Sequence, residues 1–498
     1  MKFNIPEEII EIAKKLQNPP TGGNFQAYLV GGCVRDLLME REPKDWDITT
    51  NAKPKEIQKI FPDSVYENKF GTVAVKTDSE NPKLKIVEIT TFRLEGKYTD
   101  KRHPDEIKFA KTVEEDLARR DFTINAIAFN MGTSDVPRTS DVQNIIDPFN
   151  GQKDIKNKII RTVGNPEERF NEDALRLMRA VRFATELNFE IEKKTSEAVK
   201  KQANLLEMIA KERICEEFKK ILATKNAVKG VQTLEDLGLL RHVVPELREG
   251  INVGQNKHHI YTVWEHNLRA LDYAVKKDYS LEIRMAALLH DVGKPETKAG
   301  DGPDSTFYNH EVIGAKIAAR ALDRLHFSKV FIEKVVHLVR YHLFYYNVGE
   351  VTEAGVRRFL RRVGPENVED FIKLREADRI GSGVPKAVPY KLRHLLFMIE
   401  KVKRDPLSPK MLKVSGNDVM EILEIEPGPK VGWILSILLD EVVEEPDKNS
   451  SKYLALRIKE FGNLSDDKLE KLSKNAKEKK DEFESGAEEE IKKKFYVK

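Results

Sequence analysis

The sequence predicts an α+β head followed by a long all-helical body. In the first 150 residues, short apolar and β-branched runs typical of strands alternate with helical stretches. From about Pro166 onward, apolar residues recur at helical spacing nearly to the end of the chain. The 498 residues, 40% of them hydrophobic, are enough for several cores and about three domains.

The composition excludes several classes of protein. The 85 Lys and Arg residues nearly balance the 82 Asp and Glu residues, so a net charge of +3 gives no global basic field, and any nucleic-acid site needs local clusters. Two cysteines, Cys33 and Cys215, are too few for a disulfide framework and fit a reducing cytoplasm. The sequence has neither a long apolar run nor an apolar leader, which predicts a cytoplasmic protein without a membrane span.

The elements of the head follow from the local sequence. Residues 27–30 form a short apolar run that ends at Gly31 and Gly32, which predicts a strand, a turn and then a helix over 34–40. Two more runs rich in β-branched residues are predicted strands: 72–76 and 84–91.

The helical body is predicted to begin at Asn165 and Pro166, a cap followed by a proline in the first turn. The polar, glycine-containing stretch 250–257 is a candidate domain boundary, and the polar stretch 132–144 predicts a hairpin loop or an insertion. The tail from Ser465 is dense in charges of both signs, which predicts a solvated helix or a disordered end.

The glycine turn is the first feature that suggests chemistry. Two glycines let the backbone approach a ligand closely, and the free amides at the start of the next helix favour an anion such as a triphosphate. Such a turn taken by itself is more often only a turn.

Two aspartates follow this turn at short distance. If 44–48 is a strand, Asp45 and Asp47 project from the same face, because side chains repeat every two residues. Two neighbouring carboxylates repel each other unless a cation neutralises them, and Mg²⁺ binds through carboxylates plus substrate phosphates. Glu88, on the predicted strand 84–91, is a candidate third carboxylate for displacement at phosphorus, with a water-facing glutamate as the alternative.

Four motifs in order carry a family resemblance. GGCVRD at 31–36 and DWD at 45–47 resemble the nucleotidyltransferase head of the polymerase β superfamily. RRDFTINA at 119–126 resembles the ribose-recognition motif of class II (bacterial-type) tRNA CCA-adding enzymes and poly(A) polymerases, and EDALR at 172–176 resembles their nucleotide-selecting motif. The resemblance extends from about Phe25 to about Leu395 and implies a mixed-sheet head followed by a helical neck and body.

The resemblance implies which residues act at this site. It implies catalysis by Asp45, Asp47 and Glu88, with Mg²⁺ on the first two. It also implies nucleotide contacts from the following residues: Gly32, Arg35, Arg119, Arg120, Asp121, Asn125, Asp173, Arg176, Arg179 and Arg182. A guanidinium grips phosphate oxygens and a carboxylate accepts from a ribose 2′-OH, while an ordinary surface ion pair is the alternative for 119–121.

The nucleotide-selecting motif suggests how bases are chosen. Asp173 and Arg176 are three residues apart and therefore share one helix face, where they match the hydrogen-bonding edges of C and A. An ordinary ion pair between them is the alternative, and the resemblance favours base selection. Arg179 and Arg182 continue the same stripe and face phosphate, RNA or solvent. Residues 93–115 resemble the family's flexible loop, which helps to switch from C addition to A addition.

Histidine and aspartate residues later in the chain form a second candidate site. The candidate ligands are His266, His290, Asp291 and Asp378, with His310 and His342 as additional candidates. A mixed nitrogen and oxygen set suits Mn²⁺, Ni²⁺, Fe²⁺, Co²⁺ or Zn²⁺. The pair at 290–291, set between an apolar helical run and a glycine, resembles the HD phosphohydrolase superfamily. This implies phosphatase and 2′,3′-cyclic phosphodiesterase activity, with a folded but inactive HD domain as the alternative.

Together these features predict a domain order and a reaction. The predicted domains are a nucleotidyltransferase head at 1–150, a helical neck, template and RNA-binding domain at 151–250, an HD metal-dependent phosphohydrolase-like domain at 251–395, a C-terminal helical region at 396–464 and a charged tail at 465–498. The predicted reaction is the addition of C, C and A from CTP and ATP to the acceptor arm of tRNA without a nucleic-acid template. The alternatives are a poly(A) polymerase and an HD phosphohydrolase with a nucleotide-binding head. The sequence does not indicate an oligomeric state.

Overall fold

A computed structural model describes most of the chain. The described residues are 3–20, 22–66, 71–95, 107–132, 144–256, 260–344, 346–384, 386–403 and 409–497. The chain divides into two compact units, the first comprising Met1–His342 and Asp370–Pro385 and the second comprising Leu343–Glu369 and Lys386–Lys498. Both candidate sites lie in the first unit.

A seven-stranded mixed sheet forms the centre of the head. Its strands are β1 (Ala27–Val30), β2 (Asp47–Thr50), β3 (Ser64–Tyr66), β4 (Thr72–Lys76), β5 (Ile86–Thr91), β8 (Ala128–Asn130) and β9 (Ile145–Ile146). Smaller ribbons pair β6 (Arg93–Glu95) with β7 (Ile107–Phe109), and β10 (Ile159–Ile160) with β11 (Glu190–Ile191). The helices of the head are α1 (Glu7–Gln17), α2 (Gly32–Leu38), α3 (Pro54–Ile60) and α4 (Val113–Ala118).

The strand order is β3-β4-β5-β2-β1-β8-β9. Strands β2 and β5 run parallel, and the other neighbouring pairs of this sheet are antiparallel. One face of the central strands presents Leu29, Ile48 and Ile89 to a hydrophobic core. Because side chains alternate along a strand, Asp47 projects from the opposite face.

Helices follow from the neck onward. Those of the first unit are α5 (Gly151–Asn157), α6 (Pro166–Glu172), α7 (Leu175–Leu187), α8 (Lys193–Gln202), α9 (Lys211–Ala223), α10 (Ala227–Asp236), α11 (Leu240–Val243), α12 (Val263–Lys276), α13 (Leu281–Leu289), α14 (Lys294–Thr297), α15 (His310–Arg324) and α16 (Lys329–Tyr341), together with most of α18 (Val368–Gly381). Helices α7 and α9 pack on each other, as do α15 and α16, and within the described ranges no helix is long and apolar enough to span a bilayer.

The second unit is helical as well. Its helices are α17 (Glu353–Val363), α19 (Tyr390–Lys403), α20 (Gly416–Leu423), α21 (Pro429–Glu444), α22 (Ser451–Gly462) and α23 (Asp466–Phe495). The charge-dense tail is the long helix α23, which packs on α21 and α19 and buries Leu469, Ala476 and Ile491. The helical alternative predicted for the tail is therefore correct, although one stripe of the helix is buried rather than solvated.

The predicted α+β head and helical body are confirmed, with two local corrections. Strand β2 begins at Asp47, so Asp45 precedes the strand instead of lying in it. The helix expected to carry both Asp173 and Arg176 is interrupted, because α6 ends before Asp173 and α7 starts at Leu175. The predicted insertion at 132–144 and the centre of the predicted loop at 93–115 lie outside the described residues.

Candidate active site

The glycine turn joins the end of β1 to the start of α2. Gly31 has φ +79° and ψ −129°, a backbone conformation that L side chains rarely adopt, and its N–H donates to the carbonyl of Ile127 (3.2 Å). A Cβ on Gly31 would lie 2.7 Å from a guanidinium nitrogen of Arg120. The turn therefore needs glycine both for its conformation and for the close approach of Arg120.

Asp45 and Asp47 lie beside this turn. Asp45 is exposed, Trp46 is buried and Asp47 is half-buried, and both aspartates line the same cleft. Burial raises the pKa of Asp47; Arg120 opposes this rise and Asp45 adds to it. A carboxylate whose charge is disfavoured by burial and by an acidic neighbour suits a bound cation, and two oxygen donors of this kind fit Mg²⁺.

Glu88 is the neighbour of Asp47 across the parallel pair β2–β5. The two residues are in register, so their side chains project from the same face of the sheet. Glu88 is exposed and Asp47 is half-buried. The position is compatible with the predicted third carboxylate, which stays a prediction.

A cleft of about 860 Å³ opens beside these carboxylates, between the head and the neck helices. Nine predicted site residues line it: Gly32, Arg35, Asp45, Asp47, Arg120, Asp121, Asn125, Arg179 and Arg182. Four other predicted site residues within the described part of the chain do not line the cleft: Glu88, Arg119, Asp173 and Arg176. Basic side chains outnumber acidic ones along the cleft, so its charge suits a phosphorylated ligand next to a metal-binding carboxylate pair.

Asp121 holds Arg179 against the cleft. Its Oδ2 accepts from Nε of Arg179 (2.7 Å), and its Oδ1 accepts from the Phe122 amide (2.8 Å) and the Asn125 side chain (3.4 Å). Burial alone would raise the pKa of Asp121, but Arg179 and Arg176 outweigh burial and lower it to about 2. This carboxylate already has several protein donors, so in this conformation its evident role is to orient Arg179.

We expect an Asp121→Asn substitution to destabilise the first unit by about 2 kcal/mol at pH 7, by linkage of the lowered pKa. A carboxyl group whose pKa is lower in the folded state stabilises the fold above its ordinary value of 3.8, and this contribution is lost as the pH falls towards about 2. Unfolding midpoints of both proteins, measured between pH 7 and pH 2.5, should therefore differ most at neutral pH. The exposed Asp236→Asn is the matched control. A difference that does not depend on pH would contradict this account.

Arg119 and Arg120 share a buried acidic partner that the sequence analysis did not identify. Asp116, fully buried on α4, accepts from Nε of Arg119 (2.9 Å) and lies 3.6 Å from Arg120. Burial would raise the pKa of Asp116, but the two guanidiniums reverse the direction and lower it. Arg120 also borders the cleft. Asp116 therefore holds both arginines in place, and Arg120 remains accessible from the cleft.

Asp173 and Arg176 each have a different protein partner. Arg213 donates to both carboxylate oxygens of Asp173 (3.2 and 2.9 Å), while Arg176 donates to Glu172 (2.5 Å) and to the carbonyl of Arg169 (3.0 Å). Asp173 lies at the junction of α6 and α7, where its Oδ1 accepts from the Leu175 amide (3.0 Å). In this conformation Asp173 and Arg176 therefore each bind a charged group of the neck.

Phe183 is a cleft residue that sequence reasoning missed. The guanidinium of Arg182 stacks 3.9 Å from its ring centroid, and those of Arg179 and Arg35 lie 5.1 and 5.5 Å away. Arg182 is also held by Glu217 (2.6 Å). A ring among arginines gives no periodic sequence signal, because the three cations come from different positions on two helices.

The second candidate site brings all six predicted ligands together. They form two groups of three, the first with His266, His290 and Asp378 and the second with Asp291, His310 and His342. Asp291 also contacts the first group, with Oδ2 3.1 Å from Nε2 of His266, while its Oδ1 lies 3.4 Å from Nε2 of His310. Gly293 permits this geometry, since a Cβ there would lie 2.3 Å from the carbonyl of His310.

The histidines of this cluster are oriented for metal binding. Nδ1 of His290, His310 and His342 each contacts a backbone carbonyl (2.7–2.9 Å), which fixes the protonated nitrogen on that side and turns Nε2 towards the centre. Burial lowers the pKa of His266, but its hydrogen bonds to Asp291 and Asp378 outweigh burial and raise it to about 9. Four imidazoles and two buried carboxylates therefore form a pocket that favours positive charge and fits transition-metal ions.

Comparison with known proteins follows this division of the chain. Residues 27–161 match the poly A polymerase head domain, and residues 188–251 match the probable RNA and SrmB-binding site of polymerase A. Residues 263–380 match the HD domain. Over 470 residues the chain is 32% identical to the CCA-adding enzyme of Lactococcus lactis subsp. lactis, covering 92% of this chain and 98% of that protein.

The chain belongs to the CCA-adding enzyme family. Its three matched regions are a poly A polymerase head domain, a probable RNA-binding site and an HD domain. A second member of similar extent is the A-adding tRNA nucleotidyltransferase of Deinococcus radiodurans, 33% identical over 83% of this chain and 91% of that protein. Some relatives align only in part. The CCA-adding enzyme of Ligilactobacillus salivarius is 46% identical over 48% of this chain, and this chain spans about half (55%) of the length of that relative.

A solved structure of a CCA-adding enzyme is also similar to this chain. The Bacillus stearothermophilus CCA-adding enzyme in complex with CTP matches with a TM-score of 0.57 and 28% identity, over 91% of this chain and 96% of that one. Divalent metals are general cofactors of nucleotidyltransferase and HD families, and both clusters of oxygen and nitrogen ligands described above suit them.

Proposed function

We propose that this protein adds C, C and A to the 3′ ends of tRNA, using CTP and ATP and no nucleic-acid template, in the cytoplasm. The observation that carries the proposal is the cleft in which Asp45 and Asp47 face Arg35, Arg120 and Arg179. An acidic pair beside several arginines suits a triphosphate whose α-phosphate is attacked while pyrophosphate leaves. The CTP complex of the similar Bacillus enzyme supports a nucleoside triphosphate as the ligand.

Each group of the cleft has a proposed task. Asp45 and Asp47, with Glu88 beside them, would hold Mg²⁺, which supplies charge neutralisation and activation of the attacking 3′-hydroxyl when bound. Arg120 and Arg35 bind the triphosphate, and the glycine turn at Gly31 keeps Arg120 close to the backbone. The neck presents Arg179, oriented by its ion pair, to the sugar and base side of the nucleotide.

Base selection is proposed to require a change of partners at the α6–α7 junction. Asp173 is bound by Arg213, and Arg176 is bound by Glu172. A nucleotide base that takes over these two side chains must displace Arg213 and Glu172, so that hydrogen bonds to the base edge replace two ion pairs of the neck. C and A offer the matching donors and acceptors, whereas G and U do not.

We expect Asp173→Ala to relax base selection about 10- to 100-fold, since a good pair of contacts to a base edge is worth about 1–3 kcal/mol of discrimination. The measurement is single-turnover incorporation of each of the four nucleotides on a tRNA that lacks CCA. Glu168→Ala, which removes an exposed acid on α6, is the matched control. Unchanged discrimination in Asp173→Ala would exclude Asp173 as a base-reading residue.

The reaction itself is tested by extension of three tRNA transcripts that end before CCA, after C and after CC. Each is given Mg²⁺ with CTP alone, ATP alone or both. Addition of C, C and one A, followed by a stop, is the expected result. Addition of A only to the transcript that ends in CC would indicate the activity named for the Deinococcus relative, and long runs of A on any RNA would indicate a poly(A) polymerase.

We also propose that the HD domain is a metal-dependent phosphohydrolase. The observation that favours it is the sharing of Asp291 between two three-ligand groups. Ions such as Mn²⁺, Ni²⁺, Co²⁺, Fe²⁺ or Zn²⁺ held there would acidify water for attack on a phosphoester. The substrate classes are phosphomonoesters and 2′,3′-cyclic phosphates, and hydrolysis of each by the protein loaded with each metal is the test.

A further inference from the structure

A buried arginine of the HD domain is bonded to the neck. Arg284 lies on α13 and is 5% exposed. Its NH1 donates to the carbonyls of Leu222 (3.1 Å), Ala223 (3.0 Å) and Thr224 (3.2 Å), where α9 ends. No role in the proposed chemistry of either site accounts for a guanidinium that makes three bonds to one helix end.

The rest of the guanidinium is fixed by the HD domain. Nε donates to the carbonyl of Tyr279 (2.9 Å), and NH2 donates to the carboxylate of Asp278 (2.8 Å). The last carbonyls of a helix accept no hydrogen bond within the helix and lie at the negative end of its dipole. A buried cation that donates to three of them therefore stabilises one position of the helix end. Arg284 thereby fixes the end of α9 to α13.

The end of α9 is part of the cleft wall. Ala223, Thr224, Lys225 and Asn226 all border the cleft, together with Lys220 from the last turn of α9. The side chain of Asn226 donates to a backbone carbonyl of α7 (2.9 Å), the helix that also carries Arg179 and Arg182. Arg284 therefore joins this wall of the cleft to the HD domain.

The charge of this wall indicates what it binds. Lys220 is half exposed and lies 3.8 Å from the nearest carboxylate, that of Glu217. Lys225 is also a cleft residue, and flexible ammonium groups of this kind bind nucleic-acid phosphates as point charges without reading sequence. The arginines proposed to bind the nucleotide come from the head and from α7, so α9 offers a separate set of cations for the RNA backbone.

We infer that Arg284 is a positioning residue of nucleotidyl transfer: the HD domain forms one wall of the transferase cleft and holds Lys225 and Lys220 where they bind the backbone of the RNA substrate. The inference rests on the proposed function. It makes the HD domain necessary for RNA affinity whether or not its metal cluster is occupied. The incoming nucleotide is bound by other residues, so its affinity should not depend on Arg284.

Kinetics of A addition to a tRNA that ends in CC test the inference. We expect Arg284→Gln to raise KM for tRNA about tenfold, as for the loss of one or two phosphate contacts, with kcat and KM for ATP within about twofold of wild type. The slope of log Kd for tRNA against log salt should become shallower, a change that loss of stability alone does not produce. Arg284→Lys, which keeps the charge, should restore part of the affinity. Arg320→Gln, an exposed arginine on α15, is the control.

A double-mutant cycle separates positioning from general damage. Lys225→Ala should weaken tRNA binding to a similar extent, and the double variant should bind no more weakly than Arg284→Gln alone, because Arg284 acts through the lysine. Equal KM and salt slope in Arg284→Gln and wild type, or fully additive effects in the double variant, would overturn the inference. A wild-type protein that binds tRNA with this salt dependence but does not extend it would contradict the proposed function and leave the binding result standing.

Discussion

Asp47→Asn is expected to lower the rate of nucleotidyl transfer about a thousandfold or more. The substitution keeps the size of the side chain and its place at the start of β2, but removes the charge that would hold a divalent cation. Loss of metal-based stabilisation of a phosphoryl transition state costs several kcal/mol, and each 1.4 kcal/mol is about tenfold in rate. The measurement is single-turnover A addition to a tRNA that ends in CC, at saturating ATP and Mg²⁺.

The electrostatics of the site sharpen this expectation. Burial and Asp45 raise the pKa of Asp47, and Arg120 works against both. Without a carboxylate at this position, Arg120 remains beside the cleft and binds the triphosphate, so KM for ATP should change far less than the rate. A variant that keeps its rate but loses ATP affinity would show that Asp47 acts in binding alone.

Two comparisons make the result specific. Asp78→Asn, an exposed acid of the same head, should be indistinguishable from wild type. Hydrolysis of phosphomonoesters by the HD domain, where it is present in wild type, should survive Asp47→Asn, because its ligands come from the separate cluster of six residues. Transfer within tenfold of wild type in Asp47→Asn would contradict a metal role for this residue.

Local sequence was sufficient for the elements that position this site. The strands at 27–30 and 72–76 were predicted with their observed bounds, and the glycine turn was placed correctly between β1 and α2. These predictions succeeded because apolar runs and glycine pairs report local backbone preferences directly. Asn165 likewise caps α6, accepting from the amide of Glu167.

The same reasoning was wrong where it assumed continuity. The spacing of Asp173 and Arg176 implies a shared face only on an unbroken helix, yet α6 ends before Asp173 and α7 starts at Leu175, whose amide donates to Asp173. An aspartate followed by two helix-forming residues is compatible with a helix interior or with a helix start, and distant contacts decide between them. The deciding partner here is Arg213, forty residues further along the chain.

The HD cluster shows which part of a site is encoded locally. The six candidate ligands were chosen from residue type, from the apolar helix before His290 and from the resemblance to the HD superfamily. Their division into two groups that share Asp291 could not, because five helix segments contribute the side chains and only their packing sets the distances. Arg284 was missed for the same reason, since a cation that caps a distant helix has no spacing rule.

Asp291→Asn is expected to abolish binding of transition metals at both groups of the cluster, and with it any phosphohydrolase activity. One carboxylate oxygen faces His266, the other faces His310 and His342 at 3.4 and 3.6 Å, so a single substitution removes a ligand from each group. Loss of a charged ligand typically lowers metal affinity far more than the 10- to 100-fold seen for supporting residues. The measurement is metal content after dialysis against Mn²⁺ or Ni²⁺, with an expected fall from two ions per chain to fewer than one.

Comparison with His342→Ala tests whether Asp291 is shared. The histidine belongs to one group only, so its loss should remove one ion and leave the group of His266, His290 and Asp378 able to bind the other. Asp323→Asn, an exposed acid on α15, should keep both ions, and circular dichroism should verify that each variant is folded. If Asp291→Asn and His342→Ala lose the same single ion, Asp291 serves one group, and the cluster is a one-metal site with extra histidines. If only Asp291→Asn loses both metal ions, the two oxygens of this buried carboxylate serve one group of ligands each. Transferase activity that persists in that variant would then assign nucleotidyl transfer and phosphoester hydrolysis to separate sites of the chain.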